Sequence, residues 1–509
     1  MKRTSNLKIG AMCSYILIAV NTFYGMFFTP FLINTLGDGE YGVYRIIASL
    51  VGSMAVLDFG IGATVLRYTA KYNAEKDIRG LDNFFAMGLI QAAALSVLMI
   101  SVCSVVYFNL DRFYGESFSP VELIRAKQLF VLFGVILVLN TFEKVISGII
   151  SGCGYYAFGN GMKLMHIVVK CALAYPLLMR YADARTLLWL EIALLFVIVL
   201  VQLACLKSKC HVCPKLYRWD NALFGQSFKY TLLMFIQSLS VQMNGNLDNM
   251  VIGSVLGSVT VAVYSIGLLF YNMYEQFAVA LSDMMLPTVS RQIAEGADNR
   301  QLEDTVIRVG RFEFILLGAA LAGFLVIGKE FICMWLGEDY LLAWYVAVIL
   351  MIPTTIPLVQ NVSISILRAK NKMGFRTAAV CIMAGVNFLL TLVGVKHFGV
   401  MAACVSTALA LVIANIIAMN IYYVKVIKLN VFRIFKNVFA RSWLCCALAA
   451  GVLAVVDRFL NGGWWQWCTK VVIFCVIYGG LLLAYGFSKE EKNFLFQRIC
   501  SKKKRGTAV

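Results

Sequence analysis

Three of the cations inside long apolar stretches of this 509-residue chain are candidates for binding an anion. Arg45 lies near one end of its stretch, whereas Lys144 and Lys170 lie deeper in theirs. A lysine inside a bilayer costs at least about 2.5 kcal/mol unless it meets an anion or water. We therefore predict that all three line a polar cavity that receives an anionic ligand. The alternatives are that Arg45 reaches the nearby interface and that Lys144 pairs with Glu143 or Glu191.

Neutral and acidic side chains add two polar helix faces. At 100° per residue, Gln237, Asn244 and Asp248 fall within about 40° on one helix, and Tyr271 and Glu275 share a face of the next. We predict that Gln237, Asn244 and Tyr271 line the cavity, the alternative for the two amides being helix packing. Asp248 and Glu275 are the candidates for proton or sodium coupling, or they balance the lysines.

Four prolines inside apolar stretches are candidate hinges. A proline removes a backbone donor from its helix and kinks it. Such a kink serves either as a hinge between two transport states or as a static bend. The residues are Pro30, Pro176, Pro353 and Pro357.

These residues lie in a chain whose composition is that of a membrane protein. It is 61% hydrophobic and only 14% charged, more apolar surface than a soluble globule can bury. About fourteen apolar stretches are long enough to cross a hydrocarbon core of about 30 Å. Their runs are continuous and do not alternate, so helices are expected and barrel strands are not. The sequence predicts an all-α integral membrane protein with about fourteen transmembrane helices.

Lysine and arginine are distributed unevenly between the two sets of connections. The basic tail, residues 502–505, lies on one side, while the connection NTLGDGE (34–40) on the other side carries only acids. This bias predicts that both termini are cytoplasmic. Since the basic residues are spread over short loops, nucleic acid is not expected as a partner.

The sequence offers no constellation for covalent chemistry. It contains no GxxxxGK[ST] phosphate loop, and the longest predicted outer loop, NLDRFYGESFSPVE (109–122), holds no recognisable catalytic group. Cys210 and Cys213 have the spacing of zinc ligands, but no second pair follows nearby. We expect a transporter that is not an enzyme, has no metal and no cofactor, and is driven passively or by an H⁺ or Na⁺ gradient.

A repeat at an offset of 220 residues relates the two halves of the chain. Five residues between 36 and 46 recur identically: Leu36, Gly37, Val43, Tyr44 and Ile46 correspond to Leu256, Gly257, Val263, Tyr264 and Ile266. Six spans separate the copies, so both have the same orientation. This predicts two pseudo-symmetric six-helix lobes, 1–206 and 226–427, joined by a cytoplasmic linker at 207–225. Residues 428–509 form two further helices and the basic cytoplasmic tail.

Three motifs resemble those of a known family: LGDGEYGVYRI (36–46), LDFGIGATVLRYTAKY (57–72) and HFGVMAACVST (397–407). They are similar to patterns of bacterial polysaccharide exporters, which belong to one superfamily with multidrug exporters and the lipid II flippase. The resemblance covers essentially the whole chain. It implies a flippase for undecaprenyl phosphate- or pyrophosphate-linked oligosaccharides that acts by alternating access.

The same resemblance implies the surroundings of the protein. The expected location is the bacterial cytoplasmic membrane, with membrane lipids, the lipid-linked oligosaccharide and polysaccharide polymerases or glycosyltransferases as candidate partners. Two alternatives of the same fold stay open, a cation-coupled multidrug exporter and a lipid II flippase. The first expected span lacks the acid that many drug exporters place there, which favours the anionic substrate.

Overall fold

The structure, a computed structural model, describes seven stretches of the chain: 25–210, 212–218, 247–283, 295–370, 372–440, 442–460 and 462–487, with residues 20, 22, 225, 235, 289 and 291–293. Within these stretches the regular structure is helical throughout. Eleven helical spans among the described residues, some of them made of two consecutive helices, are long and apolar enough to cross a membrane. The predicted all-α membrane fold is confirmed. The count of fourteen is not confirmed, because most of the predicted first span (11–33) and seventh span (228–253) lies outside the described residues.

In chain order, the described helices are α1 (Gly25–Leu36), α2 (Asp38–Met54), α3 (Ile61–Glu75), α4 (Ile78–Tyr114), α5 (Pro120–Gly152), α6 (Tyr156–Arg180), α7 (Ala184–Cys205), α8 (Leu247–Leu256), α9 (Ser258–Asp283), α10 (Asn299–Leu336), α11 (Leu341–Val359), α12 (Asn361–Ala369), α13 (Gly374–Phe398), α14 (Val400–Leu411), α15 (Met419–Tyr422), α16 (Val431–Phe439), α17 (Ser442–Asp457) and α18 (Trp464–Leu481). Short 3₁₀ turns occupy Ala55–Asp58 and Glu338–Tyr340, and π-helical turns occupy Leu206–Cys210, Val412–Ala418, Tyr423–Ile427 and Leu482–Gly486.

The described residues form two compact units. The first unit combines residues 1–265 with 380–406, and the second combines 266–379 with 407–509. The boundaries fall inside α9, α13 and α14. This grouping differs from the predicted lobes, whose boundaries at 206 and 226 remain a prediction from the repeat.

The second predicted span is broken in its interior. After α2 and a 3₁₀ turn, Phe59 (φ 53°) and Gly60 (φ 69°) adopt the left-handed conformation before α3 begins at Ile61. The Asp58 carboxylate accepts a hydrogen bond of 2.7 Å from the Gly60 backbone N–H. Irregular backbone is tolerated at membrane depth only where its polar groups find protein or water partners. Asp58 supplies such a partner, which the continuous apolar run did not predict.

The repeat reappears in backbone conformation. Gly37 (φ 80°) and Gly257 (φ 84°) hold the same left-handed turn 220 residues apart, directly before α2 and α9. At the same offset, Lys76 (φ 57°) matches Gly296 (φ 80°). The helices that follow contain 37 and 38 residues. The turns of the repeat are therefore preserved, whereas the break at Asp58 has no counterpart, since the equivalent Ala278 lies within continuous α9.

Connections predicted to lie on the outer side meet at one end of the first unit. Glu40 accepts a 2.6 Å hydrogen bond from the backbone N–H of Ala184, and Glu122 accepts one of 2.5 Å from Ser258. Asp183 pairs with Arg125 and Arg185. Partial burial acts to raise the pKa of Asp183, but hydrogen bonds from the two guanidinium groups outweigh it and lower the pKa to about 2.

Connections predicted to lie on the inner side meet at the opposite end. Asn73 donates a 3.4 Å hydrogen bond to the Gly152 carbonyl. The segment 212–218 rests on the start of α4, where Asp82 accepts from the Cys213 N–H at 2.9 Å and Asn83 accepts from the Tyr217 N–H at 2.9 Å. The predicted grouping of connections within this unit thus agrees with the contacts.

A close approach between α3 and α5 depends on Gly152. A Cβ atom at this position would lie 2.5 Å from the side chain of Thr69. We expect Gly152→Ala to lower the free energy of unfolding by about 1–3 kcal/mol, because the helices must separate or strain to admit the methyl group. Detergent-based denaturation followed by tryptophan fluorescence measures the effect.

The matched control is Gly161→Ala on α6, where a Cβ atom would meet nothing within 4 Å. This control should be neutral or slightly stabilising, since alanine favours helix over glycine. Equal destabilisation by both substitutions would contradict the close-approach argument.

Candidate functional site

The helix break brings an acid and a base together inside the first unit. The Lys144 ammonium on α5 forms an ion pair with the Asp58 carboxylate, whose other oxygen caps Gly60. The two residues are 86 positions apart in sequence, and Gly62 on α3 packs beside the Lys144 side chain. The suggested alternative partners of Lys144 are incorrect, because Glu143 accepts a 2.8 Å hydrogen bond from Gln202 and Glu191 pairs with Lys170.

Lys144 is accessible although it lies within a membrane span. Its side chain is 43% exposed, against 11% for Asp58. It lies about 12 Å from the Gly152 end of α5 at about 1.5 Å per residue. Exposure of an ammonium to lipid is unfavourable, so its accessible surface is expected to face water or an anion.

Lys170 belongs to a second charged group at the middle of α6. Its Nζ lies 2.7 Å from Glu191 on α7, and His166 Nε2 lies 3.4 Å from the other oxygen of the same carboxylate. The Lys170 side chain is less exposed than that of Lys144. Lys170 can line a cavity while it is paired with Glu191. Lys144 is the more accessible of the two lysines.

Arg45 lies on α2, between buried residues of the same helix. Its side chain is partly buried, and its Nε atom is buried with no hydrogen-bond acceptor among the described residues. Its neighbour Ile46 packs against Gly253 of α8, where an added Cβ atom would lie 2.6 Å from the Ile46 side chain. Arg45 thus remains a candidate cavity residue, and its Nε–H can still donate a hydrogen bond.

Asp248 is the centre of a buried polar network in the first unit. Tyr264 donates to one of its oxygens at 2.9 Å, while Thr391 and Asn387 approach the other at 3.4 and 3.5 Å. Thr391 also contacts the Ser406 hydroxyl at 2.6 Å. The network joins α8, α9, α13 and α14 around one carboxylate. Gln237 and Asn244, predicted for the same helix face, lie outside the described residues.

Tyr271 and Glu275 lie in the second unit. Tyr271 hydrogen-bonds to Thr354 on α11, and the neighbouring Tyr274 contacts Thr355 at 2.7 Å. Glu275 lies within electrostatic range of Arg376 on α13. This acid therefore has a basic group near it in its own unit, whereas hydroxyl and amide groups donate hydrogen bonds to Asp248.

The proline positions are all inside helices. Pro30 lies in α1, Pro176 in α6, and Pro353 and Pro357 in α11, which ends at Val359 before α12 begins at Asn361. Two hydroxyls next to Pro353 bond to carbonyls one turn back, Thr354 at 2.7 Å and Thr355 at 2.8 Å. The role of these prolines as hinges stays a prediction.

Two acids that the sequence reasoning did not select emerge from the structure. Asp58 was recognised only as part of a motif, although the FG pair after it signals a possible left-handed turn. Glu313 lies within the predicted ninth span and is 1% exposed; it lines an apolar cavity of about 370 Å³ in the second unit. An acid within an apolar run was the available signal for both.

The prediction that the chain holds no metal rests mainly on the predicted linker, residues 207–225, where Cys210 and Cys213 have zinc-ligand spacing. Cys210 forms a side-chain hydrogen bond with Cys153, and His211 between the two linker cysteines lies outside the described residues. No group of three or more His, Cys, Asp or Glu side chains among the residues that are described is arranged to hold a metal ion.

Comparison with known proteins gives a family match. Residues 35–345, more than half of the chain, match the family described as polysaccharide biosynthesis protein. The matched range contains the Asp58–Lys144 pair, the Lys170 group and the first half of the Asp248 network. It also contains both copies of the repeated turn.

One curated relative and two solved structures extend this comparison. The probable low-salt glycan biosynthesis flippase Agl15 of Haloferax volcanii is 20% identical over 388 residues, covering 76% of this chain and 77% of that protein. The lipid II flippase MurJ, in an inward closed conformation, has a TM-score of 0.70 at 14% identity and covers 93% of this chain and 97% of its own. An inward-facing multidrug resistance MATE family transporter of the MOP superfamily has a TM-score of 0.66 at 14% identity, covering 82% and 96%. These structures share the fold.

Proposed function

Because the chain belongs to the polysaccharide biosynthesis protein family, we propose that it flips lipid-linked oligosaccharide repeat units across the bacterial cytoplasmic membrane. The substrate is an oligosaccharide on undecaprenyl phosphate or pyrophosphate, moved by alternating access for surface polysaccharide synthesis. The observation that carries the proposal is the accessible Lys144 ammonium beside Asp58 at the helix break. The resemblance drawn from the motifs is confirmed by the family match, and the chain is a multi-pass membrane protein.

Lys144 suits this substrate because its present partner can be replaced. Asp58 neutralises the ammonium and limits the cost of a charge within the span. A phosphate oxygen offers a charge-assisted hydrogen bond of the same kind. The isoprenoid chain stays in lipid while the phosphate exchanges with Asp58. Lys170 and Arg45 supply further positive charge in the same unit.

The proposed orientation places both termini in the cytoplasm. Lys144 then lies in the cytoplasmic half of its span, toward the Gly152 end of α5, where a newly made substrate enters. Polysaccharide polymerases and glycosyltransferases are the proposed partners at the two surfaces. The proposal contains no covalent step and needs no cofactor.

The test is flipping of a fluorescent undecaprenyl-pyrophosphate oligosaccharide in proteoliposomes. A reducing agent added outside quenches the fluorophores of the outer leaflet, so protein-dependent movement appears as additional quenching. Protein-dependent flipping of this substrate, with slower flipping of lipid II, supports the proposal. Efflux of organic cations without flipping of any glycolipid would assign the chain to drug export, and preferential flipping of lipid II would assign it to that substrate.

We also propose that Asp248 couples transport to a cation gradient, with H⁺ or Na⁺ as the ion. Its oxygens are surrounded by hydroxyl and amide groups, which can reorganise around either a proton or a sodium ion. We expect Asp248→Asn to reduce gradient-stimulated flipping at least tenfold, measured with imposed H⁺ and Na⁺ gradients separately.

Glu275→Gln is the comparison variant for this prediction. Arg376 lies within electrostatic range of Glu275, so this acid is expected to serve as a charge partner, and its variant should keep the response to the gradient. Loss of the response in Glu275→Gln with retention in Asp248→Asn would exchange the two roles.

A further inference from the structure

A groove open to the membrane runs between α4 and α5 in the first unit. It has a volume of about 410 Å³, and its walls are apolar, with Ile100 and Phe108 on one side and Val131 and Leu139 on the other. Phe108 is 78% exposed. Because these residues lie within two membrane spans, the groove is open to acyl chains.

The groove continues into a polar pocket at the α4–α5 turn. This second pocket shares Tyr107 and Val131 with the groove, and its wall also contains Lys127, Gln128, Arg185 and Trp189 together with the apolar Ile124 and Leu132. Aromatic residues such as an exposed tryptophan are frequent at the level of lipid headgroups. The two pockets therefore form one continuous site. Its wall is apolar in the groove and contains polar side chains near the α4–α5 turn.

The charged side chains that line the polar pocket are basic, and each is paired with an acid that is not part of the lining. Lys127 lies 2.6 Å from Asp111, and Arg185 pairs with Asp183 and donates to Gln128 at 2.9 Å. The carboxylate of Asp111 is 53% exposed. A purely anionic headgroup would meet these acids, whereas a headgroup with one phosphate and one ammonium can pair with both signs.

The dimensions of the site match one leaflet. Lys127 and Leu139 both lie on α5, and the twelve steps from one position to the other span about 18 Å at about 1.5 Å per residue. Half of a bilayer's hydrocarbon core is about 15 Å. A chain that starts at the polar pocket thus reaches the end of the groove near the bilayer midplane.

We propose that this groove is a binding site for a zwitterionic phospholipid such as phosphatidylethanolamine. One acyl chain lies between α4 and α5, the phosphate contacts Lys127 and Arg185, and the ammonium contacts Asp111. The site is on the leaflet next to the α4–α5 turn, which the proposed orientation makes the outer leaflet. It is separate from the Asp58–Lys144 pair.

Gly134 permits a direct test, because it lines the groove and a Cβ atom on it would meet nothing within 4 Å. Gly134→Leu should fill the groove without a clash. Native mass spectrometry of the full chain, released from vesicles of phosphatidylethanolamine and phosphatidylglycerol, measures retained lipid. We expect one retained phosphatidylethanolamine in the wild type and at least tenfold lower occupancy in the variant.

Gly385→Leu on α13 is the matched control, since a Cβ atom there also meets nothing within 4 Å. This variant should retain the lipid as the wild type does. Asp111→Asn should reduce the preference for phosphatidylethanolamine over phosphatidylglycerol. Equal retention of both lipids by the wild type, or unchanged retention in Gly134→Leu, would overturn the proposal. Displacement of phosphatidylethanolamine by stoichiometric undecaprenyl phosphate would also overturn it, by assigning the groove to a substrate tail.

Discussion

Lys144→Ala should lower the rate of oligosaccharide-lipid flipping by about 10- to 100-fold. A hydrogen bond between charged groups contributes about 1.5–3 kcal/mol, and the variant removes the most accessible of the cations proposed to meet the phosphate. The measurement is the initial flipping rate in proteoliposomes at equal protein content. Lys163→Ala, which removes an exposed lysine from α6, is the matched control and should flip at close to the wild-type rate.

A structural role for Lys144 predicts a different pattern. If Lys144 served only to neutralise Asp58 at the helix break, Lys144→Met combined with Asp58→Asn would restore activity. The amide oxygen of the Asp58→Asn side chain can still accept from the Gly60 N–H, so the break should survive. We expect this double variant to fold but to remain at least tenfold slower. Recovery of the wild-type rate would show that the cation does not contact the substrate.

Lys470→Ala should produce the largest loss of stability, about 3 kcal/mol. The Lys470 side chain on α18 is fully buried, and its ammonium lies 2.6 Å from both Glu330 on α10 and Asp457 on α17. Removing one member of a buried ion group typically costs about 3–5 kcal/mol. The lower end applies because the two acids are a quarter to a third exposed. The unfolding midpoint in a denaturant titration of detergent-solubilised protein measures this loss.

A triple substitution separates the charge effect from the packing effect. Lys470→Met with Glu330→Gln and Asp457→Asn keeps similar volumes and leaves no charge without a partner. It should recover most of the stability lost in Lys470→Ala, since a neutral replacement of a buried ion group is often tolerated. A triple variant as unstable as Lys470→Ala would mean that packing of the lysine stem dominates.

The general architecture could be predicted because its signals are local. Long apolar runs define spans, and Gly37 and Gly257 mark equivalent turns that reappear with φ near 80°. The distribution of Lys and Arg assigned each connection to one side of the membrane. In the first unit, connections assigned to the same side also contact one another. A chain can span lipid only as helices or as a closed barrel, so composition alone predicts much of the fold.

The candidate site was harder to predict from the sequence, because the residues that contact one another there are distant in sequence. Lys144 was correctly recognised as unusual, but its partner Asp58 is 86 residues away, beyond the reach of helical spacing. Glu143 is adjacent in sequence yet projects about 100° away on the helix, where Gln202 binds it. The left-handed Phe59 that creates the break is a residue type that rarely adopts this conformation, so the apolar run concealed it.

The helix break bears on the history of the chain as well as on its chemistry. An ancestral duplication would have given both copies the same second helix, yet only the first copy now carries Asp58, and the second has Ala278 within continuous α9. After such a duplication the two copies of this helix have diverged in structure: the first has a break at a charged residue, and the described part of the second is a continuous helix.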